Sequence, residues 1–109
     1  FVNETEQLGL RTATALRHHA ASARFQTPFS NRGRDLVIQF TVKHEKYENE
    51  DDLSFCAGGY LKILGTDFDQ SLFGGDTPYK IMFGPDICGY DVSVIHLVFN
   101  WKGRNLHRT

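Results

Sequence analysis

The sequence predicts an all-β sandwich, and three observations carry that reading. Several short runs alternate apolar and polar residues, turn-forming residues separate those runs, and no helical period of useful length appears. At 109 residues with 40% apolar content, the chain suits one modest domain with a packed core. The net charge of -1 comes from 13 acids against 12 bases, and the bases are scattered. That pattern lacks the basic stripe a nucleic-acid surface needs. No apolar run approaches the roughly 18 residues of a membrane span, and no signal-peptide pattern opens the chain. A chain that starts at Phe1 without an initiator methionine and stops at Thr109 reads as a piece of something larger.

The first two dozen residues are the hardest to assign. Residues 9–24 are rich in alanine and arginine and scan weakly as either helix or strand. Asn3-Glu4-Thr5 is the single N-glycosylation sequon, usable only in a secretory protein with that loop exposed. His18 and His19 are adjacent, so on either regular structure they point apart and do not easily share one metal ion. They read as surface histidines.

From Pro28 the signals sharpen. Ser30-Asn31-Arg32-Gly33-Arg34 is a turn built of residues that tolerate positive φ or cap locally. A half-buried strand is expected next, with Leu36, Ile38, Phe40 and Val42 on one face and Val37, Gln39, Thr41 and Lys43 on the other. Residues 45–52 form an acidic loop too charged to bury. Its carboxylates suit a loose calcium contact, but the glycine-turned twelve-residue calcium loop is absent, so a solvated loop is the preferred reading.

Gly59 to Leu64 is the second expected strand, placing Leu61 and Ile63 on one face and Tyr60 and Lys62 side by side on the other. A polar connection through Gly65, Asp67, Asp69, Gly74 and Gly75 leads to a third strand from Tyr79 to Phe83, which Gly84-Pro85-Asp86 is expected to end. Alternation sets Tyr79 and Met82 on opposite faces of a straight strand, so both reach one ligand only if the backbone kinks between them. In the fourth strand, Ser93 to Trp101, Ile95, Leu97, Phe99 and Trp101 are expected to face the core, with Val94, His96, Val98 and Asn100 facing away. Lys102-Gly103-Arg104 then turns the chain back through Asn105-Leu106-His107. The two cysteines, Cys56 and Cys88, leave the redox compartment open, because a pair of buried thiols gives the same count.

Ile81-Met82-Phe83-Gly84-Pro85-Asp86-Ile87-Cys88-Gly89 resembles the signature of the calreticulin and calnexin family, lectin chaperones of the endoplasmic reticulum. Further similarity lies in Val37 to Glu45, in Gly58-Gly59-Tyr60-Leu61-Lys62 and in Val98 to Asn105, and it is closer to the calreticulin branch. The resemblance covers nearly the whole chain from Pro28 and extends weakly back to Gly9. It implies a concanavalin A-like jelly-roll β-sandwich, of which residues 1–109 form part of the globular lectin domain, and a disulfide between Cys56 and Cys88. It also implies binding of the terminal glucose of monoglucosylated high-mannose N-glycans on folding glycoproteins. Carried over residue by residue, Tyr60, Lys62, Tyr79 and Asp86 hydrogen-bond the sugar, Met82 packs on it, and Gly58 leaves room. Their chemistry agrees: a pyranose offers hydroxyl edges beside C–H faces, and a carboxylate accepts, an ammonium donates and a phenol does both.

The resemblance further implies a calcium-dependent chaperone of the endoplasmic reticulum lumen, with unfolded polypeptides as partners and cell-surface or secreted forms as extensions. A disulfide isomerase would be recruited by a proline-rich arm that this sequence lacks, as it lacks the acidic tail, the retrieval signal and the strands that add a further aspartate. Ala57 stands where the family has a glycine, and the acidic loop before Cys56 is longer. Glu6 and Leu8 do not match the family's basic residues near its structural calcium, so no calcium ligand is carried over. Two other classes compete: a glycosidase of the same fold, and a polypeptide- or receptor-binding sandwich independent of sugar. Retaining glycosidases need two carboxylates about 5 Å apart, and the alternating acids Glu48, Glu50 and Asp52 fall in a loop without apolar interleaving. No enzymatic activity is expected.

Overall fold

The computed structural model describes residues 9–14, 17–44, 56–89 and 92–109, so Asn3 and the acidic run 45–52 lie outside the described residues. The fold is all-β, as the alternating pattern predicts. Five strands form one antiparallel sheet: β1 (Cys56–Gly58), β2 (Leu61–Ile63), β3 (Ile81–Cys88), β4 (Val92–Trp101) and β5 (Arg104–Arg108). β3 is central, with β1 and β2 end to end along one edge and β4 then β5 on the other side. A single 3₁₀ turn, Gln70–Leu72, interrupts the β2–β3 connection, and the Asp69 carboxylate caps it by accepting from the Ser71 amide and hydroxyl.

The third strand runs further than expected. It continues through Gly84 and Pro85 to Cys88, with Pro85 opposite Ile95 of β4. The reason is where proline's missing donor falls. A residue in an antiparallel strand directs its N–H and C=O to the same neighbour, and the Pro85 carbonyl accepts from the Gly59 amide, 3.1 Å away. The absent N–H therefore faces the irregular link between β1 and β2, where no ladder bond is lost. Gly84 makes this crossing tight, since a Cβ there would run into the Gly59 carbonyl oxygen.

Residues 36–43 form no hydrogen-bonded strand, although their sidedness follows the alternation. Leu36 and Ile38 are half-buried, Phe40 meets Phe83 edge-on at 6.0 Å, and Val42 lies against Gly59. The segment packs on the sheet as cover. Residues 9–14 and 17–24 carry no helix or strand, and the turn at residues 31–34 closes with Arg34 N–H donating to the Asn31 carbonyl. The final hairpin forms as read: Lys102 and Gly103 both adopt positive φ, at 50° and 77°, the two-residue geometry that matches strand twist.

The core prediction for β4 holds only in part. Ile95, Leu97, Phe99 and Trp101 share a face with Phe83 and Ile81; Leu97 is half-buried, while Ile95, Phe99 and Trp101 are exposed. Val98, expected to face away, is the one buried hydrophobic side chain among the described residues, at 5% exposure, between Met82 and His107 in register. Alternation states which residues share a side, and it does not state which side receives cover.

Candidate functional site

Register decides which side chains meet. Gly58 pairs with Asp86, Lys62 with Met82, Gly84 with His96 and Val98 with His107. Directly paired residues project from the same face, so Gly58, Lys62, Met82 and Asp86 share one face of the sheet with His96 and His107. Tyr60, between Gly58 and Lys62, joins them, with its ring centroid 6.2 Å from that of His96. The Cys56–Cys88 disulfide closes one end of this face, linking residues that are also ladder partners.

Tyr79 reaches the same patch through a bend. The Lys80 amide donates to the Ile63 carbonyl while its carbonyl accepts from the Asn100 amide, each at 2.8 Å. Those groups point to opposite neighbours, which a straight strand does not allow. The turn at Lys80 brings the Tyr79 ring beneath Lys62, whose Nζ lies 5.1 Å from the ring centroid. The backbone therefore bends between Tyr79 and Met82.

Lys62 also donates to the Gly75 carbonyl, 3.0 Å away. That carbonyl belongs to a turn fixed by reciprocal bonds, the Gly74 amide donating to Thr77 Oγ1 and the Thr77 amide to the Gly74 carbonyl. The connection from Asp67 to Pro78 lines an open groove of roughly 470 Å³ beside this contact. Residues 22–24 brace the connection, with Arg24 Nη2 donating to the Phe68 carbonyl at 2.6 Å and Gln70 to the Ser22 carbonyl at 2.9 Å.

At the other end, His96 Nε2 lies 3.1 Å from Asp86 Oδ2, and the Tyr60 phenol stands near the same carboxylate. Burial, then the Asp86 charge and hydrogen bond, raises the Tyr60 phenol above its ordinary value of 10.0, so the hydroxyl stays protonated at neutral pH. Gly58 gives this phenol its space: a Cβ at that position would sit 3.0 Å from the Tyr60 hydroxyl oxygen. His96 Nδ1 in turn meets His107 Nε2 at 2.8 Å.

The six residues that the resemblance assigns to a sugar stand on one surface, with Gly58, Asp86 and Tyr60 at one end and Lys62, Tyr79 and Met82 at the other. His96, His107, Gly75 and Thr77 were not among them. The hairpin turn held the signal for the histidines, because fixing Lys102-Gly103 as its centre sets His107 against Val98, two residues along β4 from His96. Among the described residues, no group of three or more His, Cys, Asp or Glu side chains is placed to hold a metal ion.

A model described as "Calreticulin family" matches residues 2–108 of the chain. Calreticulin of Schistosoma mansoni is 46% identical over 104 residues, covering 95% of this chain and 25% of the relative. Calreticulins of Bos taurus and Homo sapiens are each 48% identical over 106 residues, covering 97% of this chain and 24% of theirs. The chain thus spans about a quarter of the length of the curated relatives it matches. No solved structure gives a significant match.

Proposed function

The chain belongs to the calreticulin family, and from that premise we propose that it forms part of a globular lectin domain binding monoglucosylated high-mannose N-glycans on folding glycoproteins. The supporting observation is the convergence of Tyr60, Lys62, Tyr79, Met82 and Asp86 on one face, with Gly58 making room for the Tyr60 phenol. Asp86 offers lone pairs, Lys62 offers N–H groups, and the two phenols serve either role, matching sugar hydroxyls that donate and accept. Met82 presents an apolar surface to the C–H face of the ring. A few such bonds, net of the several kcal/mol lost in association, give affinity nearer micromolar than nanomolar. Release is then fast enough for repeated capture of a folding client.

On this reading the domain is a binding module; among the described residues, Asp86 faces His96 and Tyr60. Its setting is the endoplasmic reticulum lumen. No helix among the described residues is long and apolar enough to cross a membrane. Unfolded polypeptides are further clients, and a disulfide isomerase is a partner through a proline-rich arm. Calcium is the family's ion, and none of the described residues is assigned as a ligand to it.

The test is glycan retention by the complete globular domain carrying Asp86→Ala or Tyr60→Phe. Both variants are expected to lose binding to a monoglucosylated oligosaccharide while keeping their far-ultraviolet circular dichroism. Unchanged binding would favour a second reading, polypeptide recognition independent of sugar, for which exposed Ile95, Phe99 and Trp101 are the relevant observation. Turnover of the oligosaccharide would favour a glycosidase.

A further inference from the structure

We propose that His96 is a positioning residue for Asp86, and that His107 fixes the tautomer in which His96 does so; this deepens the glycan-binding reading and rests on it. The inference follows from donor and acceptor counting. An ionised carboxylate only accepts, so His96 Nε2, 3.1 Å from Asp86 Oδ2, carries the proton and donates. In the neutral form of His96 on which the proposal rests, the other nitrogen is bare and Nδ1 accepts. The atom facing it is His107 Nε2 at 2.8 Å, which in that form donates.

The result is a directed chain across three strands: His107 of β5 donates to His96 of β4, and His96 donates to Asp86 of β3. The fold builds it deliberately close. His96 is ladder partner to Gly84, whose missing side chain leaves its imidazole free to lean to Asp86, and the hairpin turn at Lys102-Gly103 sets the register of His107. The His96 and His107 ring centroids are 4.9 Å apart, and the His96 side chain is only 20% exposed. The Tyr60 phenol stands near the same carboxylate from the β1–β2 link. His96 thus holds Asp86 before any ligand arrives, and a held acceptor loses less freedom on binding than a free one.

The experiment uses the complete domain and a monoglucosylated high-mannose oligosaccharide, with affinity read by calorimetry and imidazole tautomers by ¹⁵N-resolved NMR of the wild-type protein. His96→Leu is expected to weaken binding about tenfold, the scale of one hydrogen bond to a charged group. His96→Gln keeps an N–H near the Nε2 position and should restore most of the affinity. His107→Leu should weaken binding about threefold, a smaller effect because it releases only the tautomer. The spectra should show His96 protonated at Nε2 and bare at Nδ1. The opposite tautomer overturns the proposal without reference to any variant, as does wild-type affinity in His96→Leu when Asp86→Ala has lost binding. Retention of binding in Asp86→Ala itself instead overturns the glycan reading.

Discussion

Lys62 Nζ sits between two partners, 5.1 Å from the centroid of the Tyr79 ring and 3.0 Å from the Gly75 carbonyl oxygen. The first depends on the bend at Lys80 and the second on the Gly74–Thr77 turn, so one ammonium reports on two local structures. Lys62→Met keeps the apolar stem and removes the charge. It should weaken monoglucosylated-glycan binding about tenfold or more while changing stability by less than about 1 kcal/mol. Tyr79→Phe separates ring from hydroxyl: it leaves the face under Lys62 intact, so any loss of affinity belongs to the phenol. Calorimetric titration beside thermal melts measures both.

The Cys56–Cys88 bridge ties β1, only three residues long, to the central strand. Its loop of about 33 residues is worth roughly 3 to 4 kcal/mol in the chain-entropy account. The double variant Cys56→Ser with Cys88→Ser should lower urea stability by that order. Because β1 carries Gly58 and leads directly into Tyr60, glycan affinity should fall with it. Unaltered stability after full reduction would contradict this.

Gly84 and Gly74 make a matched pair of tests. A Cβ on Gly84 meets the Gly59 carbonyl, whereas a Cβ on Gly74 has nothing within 4 Å. Gly84→Ala must push the β1–β2 link away from β3 and should cost about 3 kcal/mol, at the upper end for overpacking. Gly74→Ala should stay within about 0.5 kcal/mol of the parent. Equilibrium unfolding in denaturant distinguishes the two, and equal effects would remove the steric argument.

Much of this geometry was legible before any coordinates, and the exceptions have physical causes. Period-two alternation placed Tyr60 with Lys62, and it identified the shared faces of β4, because that period is local. The face that gained cover in β4 was not legible, since cover comes from residues 36–44 packing at long range on Phe83 and Gly59. Pro85 misled for a related reason: whether a proline ends a strand depends on which neighbour its nitrogen faces, and only register shows that it faces the gap after Gly58. His96 and His107 lie eleven residues apart in sequence, and only the register set by the Lys102-Gly103 turn between them shows that they come to hydrogen-bond distance.

Tyr60 gives a pH test of the clamp on Asp86. Its pKa is raised, first by burial, then by the Asp86 charge and by their hydrogen bond, all of which disfavour the phenolate. A folded-state pKa above the unfolded one means that the native state holds its proton more tightly. The stabilisation is complete below the ordinary value of 10.0 and is lost as pH rises from there through the higher folded value. Tyr60 should therefore ionise later than a free phenol in an ultraviolet difference titration, assigned by comparison with Tyr60→Phe. Asp86→Asn removes the charge, so it should move Tyr60 part of the way back toward its ordinary value while leaving the burial contribution in place. An unmoved Tyr60 titration in Asp86→Asn would mean that the carboxylate is not held against the phenol, and the shared face would lose its acceptor end.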